Sequence, residues 1–347
     1  MSNARVNAPY SIRVIISRVV YVCNLFLVIL ILFFPREVLS AAREGLLLWF
    51  NSVLPALLPF IVAVNLLTAL GFVKLISTCA QPFMMAAFKL PGAGGFALIT
   101  GLITGYPMGA KTVADLWHSG EITTKEAQRL LAFCNNAGPL FIVGVVGVGL
   151  LGDTMAGYVL WAGHIAAALI IGVLTRRWEQ GRSTHMHGID RPYIQGSDNL
   201  SITETHAMCH KKDSPSIGKV LGESVKNAME ALLVVGGLII FFSVVVQAIT
   251  IIIGDLPYIA QGMLAGIMEI TGGVKILAEA PSETISSMRI AVIGGVIAFG
   301  GFSVHAQALH FTSSIGIKAS KYILFKAFSG IVAAGATWVI WRFFMYN

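Results

Sequence analysis

The sequence predicts an all-α polytopic membrane protein made of two inverted repeats, each with a spanning helix, an interfacial helix, a re-entrant hairpin and a broken helix. Three observations support this prediction. Of the 347 residues, 56% are hydrophobic and 12% are charged, whereas a soluble domain usually contains about 25% charged residues. Long apolar runs are interrupted, at the depth expected for mid-membrane, by glycine, proline, amide and charged residues. A similar interruption occurs once in each half of the chain.

Residues 1–44 are predicted to form an N-terminal span and an outer loop. The apolar run from Val14 to Phe34 is long enough to cross a bilayer, and Arg13 and Arg18 place the N-terminus in the cytoplasm. No small-residue cleavage site follows the run, so we expect an uncleaved span and not a signal peptide. Residues 35–44 should then form the short loop outside.

The first repeat is predicted over residues 45–175, and it begins with a spanning helix and an interfacial helix. Leu46–Phe72 is an apolar span in which Pro55 and Pro59 should produce kinks. Leu75–Lys89 is too short and too polar to cross, so we expect it to lie in the membrane interface.

The next segment, Phe96–His118, contains the motif Gly105-Tyr-Pro-Met-Gly-Ala-Lys111. Backbone that leaves the helix inside a bilayer must be satisfied by protein or by a water-filled cavity. We therefore expect a re-entrant hairpin with its tip near Gly105–Gly109. The alternative is a close helix pair that packs through these glycines, with Lys111 reaching the interface.

A broken helix and a plain span complete the first repeat. Thr123–Asn136 begins with a capping-box pattern and runs into the motif Asn135-Asn136-Ala-Gly138-Pro139, after which apolar sequence resumes. Polar amides between two apolar runs indicate a discontinuous helix. Met155–Leu174 is a straightforward span that ends in two arginines.

Residues 176–219 are predicted to be a cytoplasmic linker, because basic, acidic and histidine residues alternate there without an apolar run. Its histidines could bind a metal ion, but their irregular spacing is only weak evidence for a metal site. The second repeat, residues 220–347, contains Gly301-Phe-Ser-Val-His-Ala-Gln307, which aligns with the first motif. We place its hairpin tip at Gly301–His305 and its broken helix at Ser329-Gly330. The number of crossings between the motifs makes the two repeats inverted, as in many secondary transporters.

Four segments in order resemble the YlbJ-type sporulation integral membrane proteins, which carry the nucleoside-recognition "gate" domain: residues 54–60, 91–96, 105–111 and 133–141. That domain is similar in layout to concentrative nucleoside transporters, which carry a glutamate in each hairpin tip. The resemblance implies a role in moving dipicolinate during spore formation and a place in the outer forespore membrane. Here the expected tips hold Lys111 and His305 and no carboxylate, which favours an anion over a nucleoside.

The predicted site takes its positive charge from Lys111 and His305 and its neutral hydrogen-bond donors from Asn135, Asn136 and three other polar residues. Tyr106 or Phe302 could stack on the planar aromatic ring of dipicolinate. A structural role is the alternative for His305, as a hydrogen bonder between helices, and for Tyr106, as a packing residue. The full set of predicted substrate-binding residues is Gly105, Tyr106, Pro107, Met108, Gly109, Lys111, Asn135, Asn136, Phe302, Ser303, His305, Gln307 and Ser329.

The leading functional prediction is a transporter of a small organic anion, dipicolinate by resemblance. The alternatives are a permease for nucleosides or related solutes and a sporulation membrane scaffold that transports nothing. An enzyme is not expected, because the sequence has no nucleophile–base pair, metal motif or phosphate-binding loop. We expect no cofactor, no metal and no nucleic acid. The expected partners are the anion, the lipid bilayer and, as one option, further copies of the chain, with both termini cytoplasmic.

Overall fold

The computed structural model describes residues 10–177, 217–254, 256–281 and 286–346. Over these residues the fold is all-α with no strand, as predicted. Two π-helical segments, Trp49–Val53 and Leu140–Leu150, interrupt the α-helices. The α-helices are α1 (Tyr10–Phe33), α2 (Pro35–Leu48), α3 (Leu54–Ala69), α4 (Phe72–Phe88), α5 (Ala93–Thr104), α6 (Met108–His118), α7 (Thr124–Cys134), α8 (Thr154–Leu174), α9 (Ile217–Ile253), α10 (Tyr258–Met268), α11 (Ile270–Ala278), α12 (Ser287–Phe299), α13 (Gly301–Phe311) and α14 (Ala319–Tyr346).

The described helices confirm a multi-pass membrane protein. Two helix pairs reach the length of a span only together and are bent between their halves, by 108° after Phe33 and by 87° after Ala69. The described chain therefore offers four spans, or up to six if each bent pair is one span. The four helical stretches long and apolar enough to cross a membrane are Thr154–Arg177, Gly218–Ile253, Ser287–Phe311 and Ala319–Phe344.

Residues 35–44 lie in a helix and not in the predicted outer loop. α2 begins at Pro35. Proline suits the first turn of a helix, because a backbone N–H at that position has no acceptor within the helix and its absence costs nothing. α2 then packs along α9. α1 ends at Phe33 and α2 begins two residues later at Pro35. From the sequence alone, this proline indicates the end of the first helix but not the immediate start of another.

The interfacial helix predicted over Leu75–Lys89 corresponds to α4, which turns by 87° from α3. A buried arginine fixes its end, because the Arg129 guanidinium donates hydrogen bonds to the carbonyl oxygens of Phe88 and Lys89. The last carbonyl groups of a helix lack partners within the helix, so a cation placed there stabilises the helix end.

The first hairpin consists of α5 and α6, and its tip lies where the sequence predicts it. The two arms pack against each other, and the chain turns at Gly105, whose φ of 86° favours glycine. A Cβ atom at Gly101 or Gly109 would overlap the carbonyl oxygen of Cys134. The small residues therefore let both arms lie directly against the end of α7.

The first broken helix is also confirmed. α7 begins with the predicted capping box between Thr123 and Glu126. It ends at Cys134, Asn135 is extended with φ −89° and ψ 92°, and helical structure resumes at Leu140. The π-helical segment Leu140–Leu150 then packs against α8.

The second hairpin lies earlier in the chain than predicted. α10 and α11 pack against each other on either side of Glu269, which is extended with φ −141° and ψ 120°. A Cβ atom on Gly273 would overlap the backbone of Gly266, so these arms also meet through glycine. The second tip is therefore Glu269, and no interfacial helix precedes it, because α9 ends at 253 and α10 begins at 258.

The predicted tip at Gly301–His305 is instead the start of α13. Gly300 and Gly301 both have positive φ, 89° and 73°, so the helix is interrupted there. α12 and α13 nevertheless form one candidate span, Ser287–Phe311. This segment is the broken helix of the second repeat.

The predicted break at Ser329-Gly330 is wrong, because α14 runs without interruption from Ala319 to Tyr346. Gly330 serves another purpose. A Cβ atom there would lie 3.0 Å from the carbonyl oxygen of Gly295, so the glycine permits close packing of α14 on α12.

The order of hairpin, broken helix and span thus occurs twice in the described chain. The first set is α5–α6, α7 with Leu140–Leu150, and α8; the second is α10–α11, α12–α13, and α14. α13 packs on α6, and the π-helical segment packs on α11, so each broken helix contacts the hairpin of the other repeat. Among the described residues, α8 and α9 are the candidate spans between the two hairpins. If the first broken helix crosses as well, the number of crossings is odd and the second repeat is inverted. Most of the predicted linker, residues 178–216 with its histidines, lies outside the described residues.

Candidate functional site

A cavity of about 520 Å³ lies where the two hairpin tips meet the two helix breaks. Tyr106 comes from the first tip, Glu269 from the second, Gly138 from the first break, and Ser303 from α13 just after the second break. The remaining wall is supplied largely by α2, α3, the π-helical segments and α9. Its volume is that of an ordinary small-molecule site.

The polar atoms of the cavity are few and mostly neutral. Besides Glu269, its polar lining residues are Asn51, Ser52, Thr104, Tyr106, Thr271, Ser303 and Gln307. A few convergent polar groups on an otherwise apolar wall are typical of a site that orients a small organic ligand.

Glu269 brings a buried carboxylate to this cavity, since the residue is only 4% exposed. Its two oxygens accept hydrogen bonds from the backbone N–H groups of Thr271, at 3.0 Å, and Gly272, at 2.7 Å. It therefore caps α11, and the N-terminus of that helix stabilises its negative charge. The prediction that neither hairpin tip holds a carboxylate is wrong, because the second tip is Glu269 and not His305.

Tyr106 joins the first hairpin tip to the second broken helix. Its hydroxyl donates a hydrogen bond to the carbonyl oxygen of Ile297, at 2.7 Å, less than one turn before the break at Gly300. The ammonium of Lys326 lies 5.5 Å from the centroid of its ring, within the range of a cation–π contact. Tyr106 thus separates the cavity from a buried cation.

Lys326 is fully buried on α14. Its Nζ donates a hydrogen bond to the backbone carbonyl oxygen of Asn135, at 2.9 Å, so it caps the C-terminal end of α7. Throughout the described part of the chain, no carboxylate forms an ion pair with Lys326. A buried charge without an opposite charge is costly, and in a membrane segment it indicates function.

A chain of polar side chains surrounds the same break. The amide nitrogen of Asn135 donates to the hydroxyl of Tyr322, at 2.8 Å. That hydroxyl lies 3.3 Å from Nδ1 of His305. Nε2 of His305 and Oδ1 of Asn135 are buried and have no hydrogen-bond partner among the described atoms.

His305 and His164 approach the break from opposite repeats. The ring of His305 packs edge-on against Phe299, with 4.7 Å between centroids, and against Phe302, with 6.0 Å. Nε2 of His164 accepts a hydrogen bond from the backbone N–H of Ala137, at 3.1 Å. A ring nitrogen that accepts is unprotonated, so His164 is a neutral imidazole in this arrangement.

Lys111 lies in a different setting from the one predicted. Its Nζ forms an ion pair with Oδ2 of Asp115, at 2.9 Å, one turn along α6. Asp115 therefore neutralises Lys111 inside the hairpin, contrary to the expectation that no carboxylate would be available. Lys111 is also not among the residues that line the cavity.

The structure brings four of the predicted residues to the cavity: Gly105, Tyr106, Ser303 and Gln307. Asn135 and His305 lie behind the wall in the polar chain, and the amide nitrogen of Asn136 donates to the carbonyl oxygen of Phe133, at 2.7 Å. Met108 is buried against Ala228 and Leu232 in the core. Pro107, Gly109, Phe302 and Ser329 do not line the cavity.

Sequence reasoning missed Glu269, Lys326, Tyr322 and His164. Glu269 and Lys326 stand within apolar runs, and an ionisable residue in such a run is a signal of function. Lys326 follows Lys318 and Lys321 closely in the sequence. Three lysines at the start of an apolar segment resemble the basic end of a helix at the membrane interface, so the sequence does not single out Lys326.

Comparison with known proteins identifies one relative. The chain is 30% identical over 335 residues to the sporulation integral membrane protein YlbJ of Bacillus subtilis (strain 168), and the match covers 92% of this chain and 81% of that protein. No protein-family model and no solved structure matches the chain.

Proposed function

This chain belongs to the family of the sporulation integral membrane protein YlbJ, and we propose from that membership that it carries a small organic anion across a membrane during spore formation. The substrate we propose is dipicolinate. The single observation that carries the proposal is the cavity formed by two hairpin tips and two helix breaks. Behind its wall lies Lys326, a buried cation that forms no ion pair with any described residue.

The arrangement of the repeats supports transport. A cavity between hairpins and broken helices of two inverted repeats is the common plan of secondary transporters, in which one unit moves against the other around the substrate. Tyr106 from the first hairpin bonds to Ile297 of the second repeat, so the cavity wall crosses the boundary between the units.

The electrostatics favour an anion. Lys326 lies 5.5 Å from the centroid of the Tyr106 ring, and Tyr106 is one of the residues that line the cavity. The negative charge of Glu269 is already stabilised by two backbone N–H groups and a helix N-terminus. Among the residues that the structure describes, the positive charge of Lys326 has only neutral partners, so an anion in the cavity gains from it. Tyr106 also offers an aromatic face to a planar ring such as dipicolinate.

Glu269 favours a second candidate, a nucleoside or related polyhydroxy solute. A carboxylate at a hairpin tip accepts hydrogen bonds from hydroxyl groups, and it could also bind a coupling cation. A third possibility, a scaffold that transports nothing, predicts no solute binding at all. We place the chain in the outer forespore membrane with both termini cytoplasmic, from the family and from the basic residues flanking its spans.

Equilibrium binding of radiolabelled dipicolinate to the purified full chain tests the proposal. We expect saturable binding that unlabelled dipicolinate competes away and uridine does not. Ser303→Phe fills the cavity and should weaken binding by about tenfold or more, whereas Ser320→Phe, at an exposed position on α14, should leave binding unchanged. Competition by uridine would favour the second candidate, and absence of binding to either solute would favour the scaffold.

A further inference from the structure

Behind the cavity wall, Lys326, Asn135, Tyr322 and His305 form a buried polar chain. Binding of a solute in the cavity does not by itself require this chain. We propose that Lys326 and His305 form a proton-binding site that couples proton movement to the opening of the cavity. This inference rests on the proposed transport function and adds its energy source.

The first step is that the two basic groups share one buried cluster. Lys326 is fully buried and His305 is 2% exposed, and the ring of His305 packs edge-on against Tyr322, one turn before Lys326 on α14, with 5.2 Å between ring centroids. Two positive charges in one buried site repel each other. The cluster therefore holds one exchangeable proton, which belongs to the pair and not to either residue.

The second step is that Asn135 and Tyr322 connect them. The carbonyl oxygen of Asn135 accepts from Lys326, and its amide nitrogen donates to the hydroxyl of Tyr322. Tyr322 precedes Lys326 by one helical turn, so both side chains lie on the same face of α14. Its hydroxyl accepts from Asn135 and lies 3.3 Å from Nδ1 of His305. The hydroxyl keeps its own proton and can donate to Nδ1 of the neutral imidazole, which leaves Nε2 of His305 to take up a proton. One N–H bond then breaks at Nζ of Lys326, one forms at Nε2 of His305, and nothing is oxidised or reduced.

The other groups around Lys326 do not compete for this role. The first hairpin presents the ring of Tyr106. α7 presents the buried thiol of Cys134, and Lys326 donates to the carbonyl oxygen of the next residue, Asn135. α8 presents His164, already an acceptor for Ala137. α12 has Arg289 as its sole ionisable residue, and its guanidinium donates to the carbonyl oxygen of Ala278.

The third step links the proton to the cavity. With the proton on Lys326, its ammonium holds the carbonyl oxygen of Asn135 and the face of Tyr106. It thereby ties α14 to the first helix break and to the first hairpin tip. When the proton moves to His305, the cation–π contact with Tyr106 is lost. Tyr106 is part of the cavity wall, so loss of this contact frees the wall to move.

Transport assays in proteoliposomes containing the full chain separate coupling from flux. In wild type, an inward gradient of one pH unit should drive about tenfold accumulation of dipicolinate, and a protonophore should abolish it. Arginine keeps its charge at all accessible pH values. In Lys326→Arg the pH gradient should therefore no longer change dipicolinate uptake, at whatever rate that variant exchanges labelled for unlabelled dipicolinate, whereas Lys318→Met, exposed before α14, should accumulate like wild type.

Dipicolinate flux without any dependence on the pH gradient would overturn the coupling and leave the proposed function standing. The same holds if Lys326→Arg accumulates dipicolinate like wild type. If the protein does not transport dipicolinate, a measurement that does not depend on transport still tests the shared proton site.

In nitrogen-15 spectra of histidine-labelled protein in liposomes, the His305 signal is identified by its loss in His305→Gln.

The imidazole of His305 should titrate in Lys326→Met at a pH that differs from wild type by about one unit or more. Its titration in Lys318→Met should match wild type. Identical titration of His305 in wild type and Lys326→Met would overturn the shared proton site, whatever the chain transports.

Discussion

Lys326 caps the broken end of α7 by donating from Nζ to the carbonyl oxygen of Asn135, 2.9 Å away. The two residues are 191 positions apart in sequence and belong to different repeats. The bond therefore joins the span of the second repeat to the helix break of the first. It also places the ammonium 5.5 Å from the ring centroid of Tyr106, a residue that lines the cavity.

The glycines of the first hairpin should be intolerant of side chains. In Gly101→Ala the new Cβ would overlap the carbonyl oxygen of Cys134, so we expect a loss of stability of about 3 kcal/mol or more, or failure to fold. Gly335→Ala is the matched control, because nothing lies within 4 Å of a Cβ there. Thermal unfolding in detergent measures both. Equal stability of Gly101→Ala and wild type would mean that α5 does not pack on α7 as described.

The hydroxyl of Tyr106 should stabilise the folded protein, because its hydrogen bond to Ile297 joins the two repeats. Tyr106→Phe removes the bond to Ile297 and leaves a carbonyl oxygen unpaired, at a cost of about 1 kcal/mol. The ring remains, so dipicolinate binding should weaken by less than about threefold. Tyr106→Ala also removes the aromatic wall and should weaken binding by about tenfold or more. If both variants bind as wild type does, the ring does not contact the substrate.

Glu269→Gln separates the two candidate substrates. The amide oxygen can still cap α11, but the negative charge is gone. If the substrate is an anion, binding should be equal to or tighter than in wild type, because like-charge repulsion is removed. Glu279→Gln, at the exposed far end of the same helix, is the control. Loss of dipicolinate binding in Glu269→Gln alone would contradict this expectation.

Lys111→Ala should have little effect on either stability or binding. Its ion pair with Asp115 is partly exposed and spans one turn of one helix, and such pairs contribute about 0.5 kcal/mol. Lys226→Ala removes a second pair of the same spacing, with Glu230, and serves as the comparison. A tenfold loss of dipicolinate binding in Lys111→Ala would restore Lys111 as a substrate ligand.

The features that the sequence predicts correctly are local ones. The hairpin tip at Gly105 and the break at Asn135 follow from residues that cannot continue a helix in lipid without a partner. The capping box at Thr123 follows from two residues three positions apart. Each can be inferred without knowing what lies next to it in the fold.

The features that the sequence does not predict depend on neighbours. Gly300 interrupts a helix while Gly330 packs α14 on α12, and the two glycines look alike in sequence. In the sequence, Glu269 resembles a polar residue within a continuous helix. Only the packing of α10 against α11 shows that it is the tip of a hairpin. Lys326 is buried only because α7, α8 and α12 surround α14.

The most direct test of the central claim is uptake of radiolabelled dipicolinate into proteoliposomes that contain the purified full chain. Transport through the cavity predicts saturable uptake well above that of protein-free liposomes, inhibited by unlabelled dipicolinate and lost in Ser303→Phe. Uptake no faster than in protein-free liposomes, from a preparation that is folded and correctly inserted, would contradict the claim that this protein transports dipicolinate.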